Sequence, residues 1–200
     1  MKPCNRTLFI AAALCAALLS ACSKKPDSSP LPQGGVIALS DQFSADFALV
    51  DQDGKLMRDE DLKGRPAIVY FGFATCPDVC PLALGRLSAA LNELTEKERA
   101  KIVPLFITVD PERDTPQVLK SYLAFDPRIT GLTGDRAAIE HAKAGFKIYA
   151  EPEPVDDAKL GYTMQHSSLF YIVEKTGKLS FALQDSLTPS EIATAIRNAL

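Results

Sequence analysis

The sequence predicts an α/β domain, a central mixed β-sheet flanked by helices with an N-terminal hairpin extension. Three observations carry that expectation. The stretch from Pro66 to Ala74 is apolar without alternation, the pattern of a strand buried on both faces of a sheet. Directly after it, between Pro81 and Glu98, Leu82, Leu84, Leu87, Leu91 and Leu94 recur at helical spacing. Ile102 to Val109 then repeats the unbroken apolar run, which completes a strand–helix–strand crossover with parallel strands.

The remaining elements follow in chain order. Phe47 to Val50 reads as a strand running into a turn at Asp51 to Lys55, with Asp53-Gly54 supplying a positive-φ position, so an entry hairpin is expected. Thr115-Pro116 opens a helix with a capping hydroxyl and a proline in its first position. A third helix is expected from about Asp135 to Gly145. Ser168 to Val173 and Leu179 to Leu183 form a hairpin around Thr176-Gly177. Thr188-Pro189-Ser190-Glu191 is a capping box that announces the last helix. A crossover unit, a β-hairpin and a closing helix together make a thioredoxin-like fold.

Composition narrows the function classes. The 200 residues include 22 Lys+Arg against 25 Asp+Glu, for a formal net charge of -3, and 46% are hydrophobic. Such a chain has no basic excess to neutralise phosphates, which argues against a nucleic-acid binder, and it has enough apolar surface for one packed domain.

The N-terminus stands apart. Lys2 and Arg6 precede an uncharged run from Thr7 to Ser23, 17 residues and so short for a membrane span. A basic start, an apolar middle and small residues at the end are the pattern of a signal peptide. Leu19-Ser20-Ala21-Cys22 resembles the bacterial lipobox, which makes residues 1–21 the lipoprotein signal peptide and Cys22 the lipidated residue. Residues 22–40, rich in Pro, Ser and Gly, read as a flexible tether, and 41–200 as the domain. The domain is then expected to be exported, anchored to the cell membrane and facing the periplasm or extracytoplasmic space.

Of 5 cysteines, Cys4 and Cys15 leave with the signal and Cys22 takes the lipid, so Cys76 and Cys80 remain. They lie between the central strand and the long helix, where free backbone N–H groups and the helix dipole favour a thiolate. Three intervening residues leave the sulfurs close enough to share a metal or to form a disulfide. His166, just ahead of a buried strand, is expected in a loop that returns beside them. His141 lies on a predicted helix among charged neighbours and reads as a solvated residue, and Met164 as core filler. The acidic loop Asp110-Pro111-Glu112-Arg113-Asp114-Thr115-Pro116 leaves the carboxyl end of the second strand and suits a structural or docking role.

Taken in order, Phe71-Gly72-Phe73-Ala74-Thr75-Cys76-Pro77-Asp78-Val79-Cys80-Pro81, Thr108-Val109-Asp110-Pro111-Glu112-Arg113-Asp114-Thr115-Pro116, Gly131-Leu132-Thr133-Gly134 and His166-Ser167 resemble the Sco/SenC family, copper-binding assembly factors for cytochrome c oxidase. The resemblance spans about residues 45 to 185. It implies that Cys76, Cys80 and His166 bind copper, and that the protein delivers copper to, or reduces the thiols of, the dinuclear copper centre in oxidase subunit II. Other periplasmic copper carriers or thiol reductants join the expected partners. The donor set agrees: two soft thiolates favour Cu(I), and an imidazole makes Cu(II) tolerable. One position departs from the family, Gln165 where an Asp usually precedes the histidine, which places the tuning of the imidazole in question.

Other functions use the same residues. A thiol–disulfide oxidoreductase would employ Cys76 and Cys80 as its redox pair. Thioredoxin-type enzymes have one residue fewer between the cysteines and a proline before the facing strand, which His166-Ser167-Ser168 lacks, so reduction of one dedicated partner is the form this alternative takes. Redox or copper sensing would need the same ligands. A peroxidase of the peroxiredoxin type has a different spacing around its cysteine than Thr75-Cys76 offers.

Overall fold

The computed structural model describes residues 31, 34–62, 64–156 and 161–200. The signal peptide, Cys22 and most of the tether lie outside the described residues.

Among the described residues ten strands and five α-helices follow in chain order: β1 (Val36–Ala38), β2 (Ala48–Asp51), β3 (Leu56–Arg58), β4 (Ala67–Gly72), α1 (Val79–Glu93), α2 (Glu96–Arg99), β5 (Val103–Thr108), α3 (Pro116–Tyr122), β6 (Thr130–Thr133), α4 (Arg136–Phe146), β7 (Ala150–Pro154), β8 (Tyr162–His166), β9 (Leu169–Val173), β10 (Leu179–Gln184) and α5 (Pro189–Ala199). Eight strands make one mixed sheet in the order β1-β10-β9-β4-β5-β6-β2-β3, and β7 and β8 pair apart from it. β4 runs parallel to β5, and β5 parallel to β6, while β9 joins β4 antiparallel. The fold is thioredoxin-like, and the β2–β3 hairpin extends its sheet beyond β6.

Every residue of β4 and β5 is buried, as their uninterrupted apolar sequences require. Alternation along β4 sends neighbours to opposite faces. Tyr70 meets Phe106 and Phe170, whereas Phe71 meets Phe146 of α4 and Tyr171. α1 buries Ala83, Leu84, Leu87, Ala90 and Leu91, and α5 is tied to its end by Arg197, which donates to the Glu93 carbonyl at 2.7 Å. Two caps stand where the sequence places them, Thr115 accepting from the Val118 N–H and Thr188 forming a capping box with Glu191, and Asp135 caps α4 by accepting from Ala138.

Four features differ from the sequence reading. The long helix stops at Glu93, because Leu94 turns extended and Thr95 starts a capping box of its own for α2. Val36–Ala38 pairs with β10, so the sheet begins inside the segment assigned to the tether. Gly131-Leu132 belongs to a strand, β6. His166 ends a strand rather than lying in a loop, since β8 pairs with β7 from Ala150↔His166 to Pro154↔Tyr162. Among the described residues, no helix is long and apolar enough to cross a membrane.

Candidate metal centre

The site forms at the carboxyl end of β4. The chain leaves Gly72, turns so that the Cys76 N–H reaches the Phe73 carbonyl at 3.2 Å, and enters α1 at Val79. Asp78 occupies the N-cap position without a side-chain cap bond. A sulfur does that work instead: the Cys80 N–H, in the first turn, donates to Cys76 Sγ at 3.4 Å. Unsatisfied N–H groups and the positive end of the helix thus bear on Cys76.

Both cysteines are free thiols, Cys76 partly exposed and Cys80 fully buried. Their environments pull them apart. The hydrogen bond with Cys80 holds the Cys76 thiol far below the usual thiol range, helped by His166 and the backbone N–H groups of Cys80 and Asp78 and opposed by burial. The same bond, followed by burial, pushes Cys80 up. Of the two, Cys76 is thus the more acidic thiol and Cys80 the one that keeps its proton longer.

β8 brings the third donor. His166 Nε2 lies 3.5 Å from Cys80 Sγ. Its Nδ1 is 2.9 Å from the Ser167 carbonyl, which can only accept, so Nδ1 donates that bond and Nε2 is the ring nitrogen turned to the sulfur. The imidazole is walled edge-on by Phe73 and Tyr70, at centroid distances of 5.7 and 6.4 Å. Just beyond it, Ser168 Oγ bonds the Tyr70 hydroxyl at 2.7 Å and donates to Asp185 at 2.6 Å, anchoring the chain after His166.

A sulfur at about 2.3 Å and a nitrogen at about 2.0 Å from one tetrahedral ion stand roughly 3.5 Å apart. The Cys80–His166 separation already has that value. Among the described residues no group of three or more His, Cys, Asp or Glu side chains is placed to cage an ion, and Cys76 is the neighbour of this pair, its sulfur 3.4 Å from the Cys80 N–H.

Other expected residues fall into place around this centre. His141 is exposed on α4 and pairs with Asp46 at 2.9 Å, away from the thiols. Met164 packs against the core. Gln165 is exposed, and its amide donates to Glu153 at 2.8 Å. In the acidic loop no carboxylate caps α3, because Thr115 does. Asp110 pairs with Arg113, and the buried Asp114 accepts from the Ala74 N–H at 3.0 Å and the Thr108 hydroxyl at 2.6 Å. Burial raises the Asp114 carboxyl, and its bond to Ala74 fixes the turn that leads to Cys76. Sequence reasoning missed Gly72, whose lone clue was a glycine inside an apolar strand. It also missed the Ser167 carbonyl, which has no sequence signature.

The SCO1/SenC family model matches residues 37–200. A SCO2-like protein of Rickettsia felis is 38% identical over 152 residues, covering 76% of this chain and 74% of the relative. Bradyrhizobium japonicum ScoI, solved with copper bound, superposes with a TM-score of 0.73 at 38% identity, over 79% of this chain and 99% of that one. BsSco, a member of the Sco family of cytochrome c oxidase assembly proteins in which a disulfide switch was identified, gives a TM-score of 0.61 at 27% identity, over 78% of this chain and 93% of its own. A match that spans nearly the whole described domain, on a fold shared with copper-bound ScoI, means that this chain belongs to the SCO1/SenC family.

Proposed function

We propose that this protein is a membrane-anchored copper carrier that binds copper through Cys76, Cys80 and His166 and assists assembly of the dinuclear copper centre in subunit II of cytochrome c oxidase. The observation that carries the reading is Nε2 of His166 at 3.5 Å from Cys80 Sγ, with the other ring nitrogen committed to the Ser167 carbonyl. Two thiolates and one imidazole are a soft set suited to Cu(I) and tolerant of Cu(II). Three ligands leave the ion open to an incoming donor, which a carrier needs for ligand exchange and a closed structural site would deny. Lipidation at Cys22 would hold the domain at the membrane where the oxidase resides.

The test is an anaerobic Cu(I) titration of the reduced full chain in detergent, against a competing chelator, for wild type and His166→Ala. One equivalent binds tightly, and the variant loses at least the roughly 10- to 100-fold that removal of an outer-sphere partner alone costs a metal site. Equal affinities would remove His166 from the site.

A second reading rests on the unequal thiols. A partly exposed thiolate at Cys76 beside a buried, protonated Cys80 is the arrangement of an attacking and a resolving cysteine. It favours a dedicated thiol–disulfide oxidoreductase that reduces the oxidase's copper-site cysteines and itself ends as the Cys76–Cys80 disulfide. Weak copper binding indifferent to His166 would make this the leading function.

A further inference from the structure

The three copper donors do not share one rigid support. Cys76 and Cys80 sit on the turn from β4 into α1, built into the main sheet and core, whereas His166 belongs to the β7–β8 hairpin, which pairs with neither edge of that sheet. At the His166 end the hairpin is fastened to the body: Ala150 is buried, and Lys143 of α4 donates to its carbonyl at 3.2 Å. Four residues further out along β8, about 13 Å at strand rise, stands Tyr162.

Strand alternation puts Tyr162, Met164 and His166 on one face of β8. Beneath Tyr162 lies the β5–α3 loop with Arg113. One guanidinium nitrogen, Nη1, donates to the Tyr162 carbonyl at 2.8 Å, and the guanidinium carbon lies 3.8 Å from the centroid of the Tyr162 ring. Arg113 Nε pairs with Asp110, and the other Asp110 oxygen accepts from the Tyr162 hydroxyl at 2.8 Å. Asp110 is itself 2% exposed, so this ring of contacts is anchored in the body of the domain. A planar, forked cation is needed to stack on the ring and bond the carbonyl at once; an ammonium group can do only one of these.

We propose that Arg113 and Tyr162 form a latch that holds the β7–β8 hairpin against the β5–α3 loop, keeps His166 over Cys80, and so sets how fast copper leaves. Both are positioning residues, and neither touches the metal. The inference rests on the reading that Cys76, Cys80 and His166 hold copper. With the inner end still fastened at Ala150, letting go at Tyr162 allows β8 to pivot, which tilts His166 off the ion while both sulfurs stay in place, so the ion becomes available to an acceptor without any unfolding of the core. The loop that holds the latch is the one whose Asp114 also fixes the turn before Cys76, which couples the two halves of the site through one segment.

Copper release from the Cu(I)-loaded full chain into excess chelator tests the latch in wild type, Arg113→Lys, Tyr162→Phe, His166→Ala and the Arg113→Lys/His166→Ala double variant. Arg113→Lys speeds release about tenfold, the effect of one charged hydrogen bond, and Tyr162→Phe speeds it less, because only the bond to Asp110 is lost. In the His166→Ala background Arg113→Lys adds nothing, since the ligand it positions is gone. Hydrogen exchange at the β8 amides of the metal-free protein rises in Arg113→Lys while that of β4 does not. Release at the wild-type rate in Arg113→Lys, with His166→Ala still fast, overturns the latch alone. Equal acceleration by Arg113→Lys in both backgrounds also overturns it, because the residue then acts by general destabilisation. If His166→Ala itself releases copper no faster than wild type, the copper-site reading fails, and the latch with it.

Discussion

A β-carbon on Gly72 would stand 2.9 Å from the Cys80 sulfur. It would also press on Phe106 at 2.9 Å and on Tyr70 at 3.1 Å, none of them able to retreat in a packed interior. The backbone of Gly72 is ordinary extended strand, with no positive φ, so the requirement for glycine is steric and comes from Cys80, Phe106 and Tyr70 together. Gly72→Ala is therefore expected to cost about 1–3 kcal/mol of stability by overpacking and to displace the Cys80 sulfur from His166. Urea unfolding and Cu(I) competition on the same preparation check both effects. An alanine variant with the wild-type midpoint and affinity would show that the sulfur has room to move.

Gln165 leads to the opposite expectation. Because successive residues on β8 point to opposite faces, Gln165 turns away from the thiols when His166 turns toward them, and its amide bonds Glu153 across the hairpin. The Ser167 carbonyl already orients the imidazole. Gln165→Asp is expected to leave Cu(I) affinity within about threefold of wild type, and to destabilise the hairpin slightly by setting a second carboxylate opposite Glu151 and diagonal to Glu153. Affinity measured by chelator competition decides it, and a gain of tenfold or more would mean that the side chain at this position reaches the ring.

That difference shows where the sequence was legible and where it was not. β4 and β5 could be read because strands buried on both faces have no freedom to carry polar residues, and α3 and α5 because their caps are local. β7 and β8 could not, since Ala150-Glu151-Pro152-Glu153-Pro154 carries prolines and charges that normally mark a loop and is tolerated here only in a small two-stranded sheet exposed to solvent. β1 is recognisable as a strand only through its pairing with β10, nearly 150 residues away. Within the site, Cys76 and Cys80 announce themselves by spacing and position. His166 was found through the family resemblance and the return of the chain, but the side-chain direction that acquits Gln165 needed the strand. Arg113 and Tyr162 are 49 residues apart, and no local pattern joins them.

The two thiols should separate chemically with pH. An ordinary thiol, with a pKa near 8.5, loses reactivity about tenfold for each unit that the pH falls below that value, because only the thiolate attacks. Cys76 is held well below that range by its bond with Cys80 and by the N–H groups at the start of α1, so its thiolate is present throughout the neutral range. A lowered value removes the decline, and the rate should stay level from about pH 8.5 to pH 6. Cys80, buried and pushed the other way, should stay unmodified until the site opens. Iodoacetamide labelling of the reduced, metal-free full chain, resolved by peptide mass spectrometry, measures the two rates separately. A Cys76 rate that falls tenfold per unit over this interval, or labelling of Cys80 at a comparable rate, would show that the helix start and the neighbouring thiol do not divide the proton in this way.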